Sequence, residues 1–210
     1  MRKYFSKAKV QYLFYTLTHP MDGFYEIRHR GRGSVPLAVL SVILFSFVFS
    51  MNKMLASFIV NDTDPRTVDS LNNLGGVLLL YLLFCVGNWS ITCLMNGEGR
   101  LKDIATTLGY SLVPMTASYV IATIVSQVLA QNEEGFYSII ITLGTMWTVL
   151  LALAGIMIIH NYSLGKTLLT IILTVVAMLI IVFIVMMLSD LVNQVYNFIY
   201  SIYTELLFRS

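Results

Sequence analysis

Residues 167–189 read TLLTIILTVVAMLIIVFIVMMLS, an apolar run of 23 residues without a charged side chain. When it forms an α-helix, a run of about 20 such residues crosses the hydrocarbon layer of a bilayer, which is about 30 Å thick. Within lipid each peptide group must bond inside its own segment, and this run lacks the polar–apolar alternation of a barrel strand. Residues 167–189 therefore predict a transmembrane helix.

Four further stretches of similar length and composition precede this one. The five predicted spans are residues 35–60, 72–95, 104–130, 136–159 and 167–189. They hold 124 of the 210 residues but one of the 24 Asp, Glu, Lys and Arg side chains, Lys53. An even spread would place about 14 charges there. The sequence thus predicts an all-α membrane protein with five transmembrane helices, in which Lys53 extends its amine towards the membrane surface.

The composition also excludes several classes of protein. Hydrophobic residues make up 57% of the chain and charged residues 11%, which is unlike a soluble domain. A net charge of +2 is too small for a protein that binds nucleic acid. Cys85 and Cys93 lie eight residues apart in one predicted helix, about 12 Å along its axis, which is beyond disulfide reach. We expect neither a metal nor a cofactor.

The basic residues between the spans predict the orientation of the chain. Short loops that are rich in Lys and Arg stay in the cytoplasm. The segment before the first span, the loop 96–103 and the turn before the last span hold ten basic residues, against two in the remaining loops and the tail. We therefore expect a multi-pass protein of the plasma membrane, with a cytoplasmic N-terminus and an outer C-terminus.

The segment before the first span, residues 1–34, is predicted to be a basic cytoplasmic segment that lies at the membrane interface. Its apolar residues recur at helical spacing beside lysines, as in an amphipathic helix on anionic lipid. These apolar residues are Val10, Leu13, Phe14 and Leu17. Three arginines then form a candidate surface for lipid or a partner: Arg28, Arg30 and Arg32.

The tail, residues 190–210, is predicted to be an outer interfacial helix. Its many aromatic residues suit the headgroup region of a bilayer. The same helix can instead dock a partner protein on the outer face, and both interpretations remain open. The candidate surface residues are Tyr196, Tyr200 and Tyr203.

Small and polar residues within the spans indicate helix packing. Small residues let two backbones approach, and an amide or hydroxyl group can bond across helices. The candidate packing residues are Ala105, Gly144, Thr148, Ala152 and Asn88. No span carries Asp, Glu, Arg or His near its middle, whereas a transporter for protons or charged solutes normally does. This argues against a transporter that acts alone.

Enzyme signatures are either missing or misplaced. Glu133 and Glu134 resemble the paired glutamates of membrane proteases that cleave prenylated tails, but the predicted topology puts them about 30 Å from His160, across the bilayer. The sequence has no G-x-S-x-G, no H-E-x-x-H and no phosphate-binding glycine loop. We expect a protein without enzymatic activity and without catalytic residues.

The third span contains a proline in its interior. Pro114 removes one intrahelical hydrogen bond and clashes with the carbonyl of Tyr110, so a kink is expected. Gly109 lets a neighbouring helix close over the bend, and the Tyr110 hydroxyl is placed to reach an exposed carbonyl. The bend is either a packing feature or a hinge or partner groove.

Residues 96–114, NGEGRLKDIATTLGYSLVP, resemble a hallmark of the Yip-one (Ypt-interacting protein) membrane family. In that family a glycine-rich cytoplasmic turn precedes a span with a Gly-Tyr pair and a Pro four residues later, here Gly109, Tyr110 and Pro114. The resemblance covers roughly residues 21–189 and implies a five-helix membrane fold. Eukaryotic members are adaptors that bind small Rab-type GTPases. With 34 residues before its first span, this chain is more similar to the short bacterial members, which often accompany transport systems.

These observations together favour an integral membrane adaptor or an accessory subunit of a larger membrane assembly, such as an ABC-type transport complex. Its expected partners are the lipid bilayer and other membrane protein subunits. Two alternatives remain open. One is an oligomeric transporter or pore for a neutral solute, and the other is a lipid-binding or membrane-shaping protein.

Overall fold

A computed structural model of the chain describes residues 7–130 and 132–209, so the ends of the two predicted interfacial segments, residues 1–6 and 210, lie outside the described residues. The described residues form eight α-helices and no strand. The helices are α1 (Lys7–Thr18), α2 (Pro20–Arg30), α3 (Val35–Leu55), α4 (Ser70–Leu94), α5 (Leu101–Ser111), α6 (Val113–Ser126), α7 (Glu134–His160) and α8 (Leu164–Arg209).

Five segments are long and apolar enough to cross a membrane, which confirms the predicted number of spans. They are α3, α4, α5 together with α6, α7, and α8 up to Glu205. α3 ends at Leu55, five residues before the predicted end of the first span. Near that end the amine of Lys53 lies 4.6 Å from the ring centroid of Phe49.

The last helix differs from the prediction of a span followed by a separate interfacial helix. α8 is one helix of 46 residues that continues through residue 190 without a break. The physical reason is local, because no Gly or Pro occurs between Lys166 and Arg209 to end it. At 1.5 Å per residue, α8 is about 69 Å long.

The N-terminal helices pack into the bundle, although the sequence placed them on a lipid surface. α1 and α2 form a hairpin in which the Tyr12 hydroxyl donates to the carbonyl of Gly23 at 2.6 Å. This bond turns Tyr12 inwards with Leu13, while Val10 and Phe14 of the predicted apolar stripe remain exposed. Phe24 and Ile27 of α2 are buried against the bundle, so the hairpin caps one end of the core.

The core contains two clusters of apolar residues. The first joins the hairpin to α3, α5 and α7, and its buried members are Tyr12, Leu13, Phe24, Ile27, Leu37, Ala38, Tyr110 and Leu151. The second joins α3, α4, α5 and α7, and its buried members are Val42, Tyr81, Cys85, Ile104 and Ile159. α5 contributes to both clusters and therefore lies at the centre of the bundle.

Candidate functional site

A glycine-rich turn between α4 and α5 wraps around a buried histidine. The backbone N–H of Gly99 donates to Nδ1 of His160 at 3.1 Å, and His160 is 1% exposed. A Cβ atom at Gly97 or at Gly99 would lie 2.6 Å from the ring of His160. Because this spacing is shorter than van der Waals contact, only glycine fits at these two positions. We call Gly97, Gly99, Arg28, Arg100, Asp103 and His160 the turn cluster.

The charges of the turn cluster centre on Asp103. Its carboxylate accepts from Nε of Arg100 at 2.8 Å and lies 3.7 Å from a terminal nitrogen of Arg28. This carboxylate raises the pKa of the Arg100 guanidinium above its ordinary value, through the hydrogen bond and the opposite charge. The Asp103 side chain is 5% exposed and that of Arg28 is 20% exposed. Arg28 therefore ties α2 to α5 instead of facing lipid or a partner, as the sequence had suggested.

The other two predicted arginines lie at the surface beside α2. Arg30 and Arg32 both pair with Glu26, with nitrogen–oxygen distances of 2.9 Å and 2.7 Å. More than half of each arginine side chain is exposed. These two residues remain placed for a lipid headgroup or an acidic partner.

The connection from α7 to α8 holds the turn from its other side. The ring of Tyr162 stacks on that of His160, with 5.3 Å between centroids, and its hydroxyl donates to the carbonyl of Met95 at 3.1 Å. The amine of Lys166 lies 4.0 Å from the Tyr162 ring centroid. Nε2 of His160 meets no partner among the described residues. These contacts join the turn between the second and third spans to the connection between the fourth and fifth spans, and the arrangement braces helices.

At Pro114, where the sequence predicts a kink, the third span divides into two helices. α5 ends at Ser111 and α6 begins at Val113, so Pro114 occupies the first turn of a new helix, where its missing N–H costs little. The backbone N–H of Met115 donates to the Thr148 hydroxyl of α7 at 3.2 Å. α7 thus satisfies a backbone group that the break leaves without a partner in its own helix.

The buried Tyr110 forms a different bond from the one expected. Its hydroxyl accepts from the backbone N–H of Ser34 at 3.1 Å, which is the residue immediately before α3. Next to it, a Cβ atom at Gly109 would lie 2.6 Å from the carbonyl oxygen of Ala38. The Gly-Tyr pair therefore joins the start of α3 to the last turn of α5.

The predicted packing residues lie at contacts between helices. Gly144 faces Ser118 of α6 with no room for a Cβ atom. The amide of Asn88, which is fully buried, donates to the Thr174 hydroxyl of α8 at 3.1 Å. The carbonyl of Ala105 accepts from the Tyr81 hydroxyl at 2.8 Å.

Thr148 and Ala152 line an apolar cavity of about 220 Å³ between α4 and α7. We call it the lateral cavity. Its floor is formed by α3 and α5 next to the helix break, and Leu80 at its edge is exposed. The lining residues are Phe45, Val77, Leu80, Tyr81, Phe84, Leu108, Ser111, Leu112, Thr148 and Ala152.

The three tyrosines predicted in the tail lie on the exposed part of α8. Tyr196 and Tyr200 stack with 6.3 Å between their centroids, and Tyr203 is exposed as well. The structure brings none of them near the turn cluster or the lateral cavity. The predicted site residues therefore lie in separate regions: Arg28 in the turn cluster, Thr148 and Ala152 at the lateral cavity, and the three tyrosines on α8.

Sequence reasoning missed the central role of Asp103 and the burial of His160. One local signal was available, since Arg100 and Asp103 have the spacing of residues that cap a helix start. The pairs Arg28–Asp103 and Gly99–His160 join residues at least 61 positions apart, and no local pattern reports such pairs. Across residues 7–130 and 132–209, no group of three His, Cys, Asp or Glu residues is arranged to hold a metal ion.

Comparison with known proteins gives one match. A family model described as the Yip1 domain matches residues 14–187, which is most of the chain. No curated protein and no solved structure matches.

Proposed function

The chain belongs to the Yip1 domain family of membrane proteins, and from this premise we propose that it is a non-enzymatic adaptor or accessory subunit of a larger assembly in the plasma membrane. An ABC-type transport complex is the class of assembly that we favour. In this proposal the N-terminus is cytoplasmic, because of the loop charges, and the C-terminus lies outside. The protein acts by docking its helices against those of a partner within the bilayer.

The lateral cavity is the observation that carries this proposal. It is lined almost entirely by apolar side chains, it lies within the spans, and it opens beside Leu80 at the lipid-facing surface of α4. Its polar members are already bonded, since Thr148 accepts from Met115 and the Ser111 hydroxyl donates to the carbonyl of Thr107. A large apolar side chain on a partner helix can enter such a cavity and gain packing contacts without burying an unpaired polar group.

The charged residues at the end of the bundle support the same proposal. Asp103 and Arg28 are engaged in ion pairs that hold α2 against α5. A proton or ion pathway would need charged or titratable groups along the bilayer. The polar bonds that lie deeper in the bundle join neutral side chains, such as the amide of Asn88 and the hydroxyl of Thr174. They stabilise helix contacts and offer no charge to move.

Affinity purification from native membranes tests the proposal. The full chain would carry an N-terminal tag, be solubilised in a mild detergent, and have its co-purifying proteins quantified by mass spectrometry. We expect a partner at constant stoichiometry with the wild type. Ala152→Phe fills the lateral cavity and is expected to release that partner. Leu150→Phe enlarges an exposed residue of the same helix and is expected to retain it.

Two outcomes would contradict the proposal. One is recovery of the chain without any stoichiometric partner, which would favour a pore for a neutral solute or a lipid-binding protein. The other is equal retention of the partner by Ala152→Phe and Leu150→Phe. Circular dichroism and a single elution peak in size exclusion would confirm that both variants are folded.

A further inference from the structure

The second part of α8 presents almost all of its described side chains at the surface. The first part of α8 packs against α4, where the Thr174 hydroxyl accepts from the amide of Asn88, and Thr167, Thr170 and Thr174 are fully buried. From residue 182 to residue 208 each side chain that the structure describes is exposed, apart from the partly buried Thr204. We call residues 182–208 the distal half of α8. A helix about 69 Å long exceeds a bilayer of about 40–45 Å with its headgroups, so the end of α8 projects beyond the membrane.

The distal half of α8 carries an uninterrupted heptad repeat. Aliphatic residues recur at alternating spacings of three and four positions, as at the a and d positions of a coiled coil. The a positions are Val185, Val192 and Ile199, and the d positions are Leu188, Val195 and Ile202. All six side chains are exposed, by between 44% and 64%. This exposed row has the spacing of the helix–helix contact of a coiled coil.

The remaining positions of the repeat agree with this assignment. The f positions, which point away from a coiled-coil partner, are polar: Asp190, Asn197 and Thr204. The e and g positions flank the contact and are mostly large apolar or aromatic residues: Leu191, Tyr196, Phe198 and Tyr203. The apolar face therefore covers a, d, e and g, which makes it wider than the narrow strip of a two-stranded coil.

We propose that residues 185–205 form a parallel coiled coil with further copies of this chain. Copies in one membrane share one orientation, so their projecting helices run in the same direction, and the same a and d residues meet across the contact. The β-branched residues at both a and d, together with the wide apolar face, favour more than two helices. This proposal does not depend on the partner that the lateral cavity would bind.

The charges of the distal half argue against the alternative of a helix lying on the membrane. Helices that bind the surface of an anionic membrane carry Lys and Arg on their polar face. Residues 167–208 contain no Lys or Arg, and their charged residues are Asp190 and Glu205. A helix on the surface would also need a bend at the end of the span, whereas α8 continues without one.

Single cysteines on the distal half of α8 test this contact in the full chain. The background variant would replace both native cysteines, Cys85 and Cys93, with serine. Val195→Cys and Ile199→Cys place a thiol at d and a positions, and Asn197→Cys places one at the f position between them. After mild oxidation in native membranes, we expect covalent dimers from the first two variants and their loss in the third.

The result that overturns the proposal is the absence of crosslinks at residues 195 and 199, or equal crosslinking at all three positions. Protection of residues 195 and 199 from a water-soluble thiol reagent without any crosslink would identify a helix lying on the membrane, and would overturn it too. A matched pair of charge variants gives a second test. Val195→Asp should reduce the copy number of the purified protein to one, measured by light scattering, and Asn197→Asp should leave it unchanged.

Discussion

The bundle and the distal half of α8 use different rules of helix packing. In the bundle, α5 meets α3 where Gly109 touches Ala38, and α6 meets α7 where Gly144 touches Ser118. Small residues at these contacts let the backbones approach. Residues 182–208 contain no Gly, Ala or Pro, and their aliphatic residues recur in heptads.

This difference indicates which contacts the chain completes by itself. Close contacts between small residues are already formed within the chain, and polar side chains such as Thr148 and Asn88 bond across them. A heptad of large side chains is completed only by another helix, because each side chain needs a hole formed by its partner. We therefore regard these helix contacts of the bundle as complete, which leaves the lateral cavity and the distal half of α8 as the two surfaces for association.

The largest expected effect comes from the charge at the centre of the turn cluster. Asp103→Asn leaves Arg28 and Arg100 without their carboxylate, and breaking such a buried pair costs about 3 kcal/mol of unfolding free energy. Glu98→Gln removes a half-exposed carboxylate 4.0 Å from Arg28 and should cost less than about 1 kcal/mol. Denaturant titration in detergent would measure both, and equal losses would show that Asp103 has no central role.

A smaller loss of stability is expected where α5 touches α3. Gly109→Ala places a methyl group against the backbone of Ala38 and should cost about 2 kcal/mol, because neither helix can move aside easily. Gly76→Ala in α4 meets no atom within 4 Å and should stabilise the helix by about 0.5–1 kcal/mol. One denaturation assay of both variants should therefore show changes of opposite sign in the unfolding free energy. A loss of stability in both variants would refute the close contact.

A further decrease is expected at the helix break. Thr148→Val keeps the size of the side chain but removes the acceptor of the Met115 N–H, which should cost about 1 kcal/mol. Thr145→Val, one turn earlier, removes only a hydroxyl that bonds to the Ile141 carbonyl of its own helix. This control should change the unfolding free energy by less than about 0.5 kcal/mol. Equal stability of the two variants would contradict the role of Thr148 as the acceptor for the Met115 N–H.

The smallest effect on the stability of the bundle is expected in the distal half of α8. Val195→Asp changes an exposed residue of α8, so the unfolding free energy of the bundle should stay within about 0.5 kcal/mol of the wild type. The same variant should lose its association with other copies. A large loss of stability in the monomeric variant would show that α8 folds back onto the bundle.

The sequence predicted the number of spans because hydropathy and length report them directly. It also indicated an irregularity at Pro114, as a kink, because a proline inside a helix removes one hydrogen bond, and the structure has a break between α5 and α6 there. The packing of α1 and α2 was not predictable in the same way. An amphipathic pattern shows that a face is apolar but not whether lipid or protein covers it, and here Phe24 and Ile27 are buried in the bundle.

The sequence pattern predicted one part of the candidate site and could not predict another. Gly109, Tyr110 and Pro114 stand together in one span and were identified from that span alone. Arg28 was assigned to the surface because basic residues near a first span commonly face lipid headgroups, whereas the structure pairs it with Asp103, 75 positions away. The lateral cavity arises from the arrangement of four helices, so no single segment of the sequence could reveal it.

The mass of the intact assembly released from native membranes tests most directly whether the lateral cavity binds a partner and the distal half of α8 joins copies of the chain. We expect a complex that contains several copies of the 23.6 kDa chain together with a second polypeptide. Copies of the chain alone would support the coiled coil and contradict the proposed partner. A single chain of 23.6 kDa would contradict both the proposed partner and the proposed coiled coil.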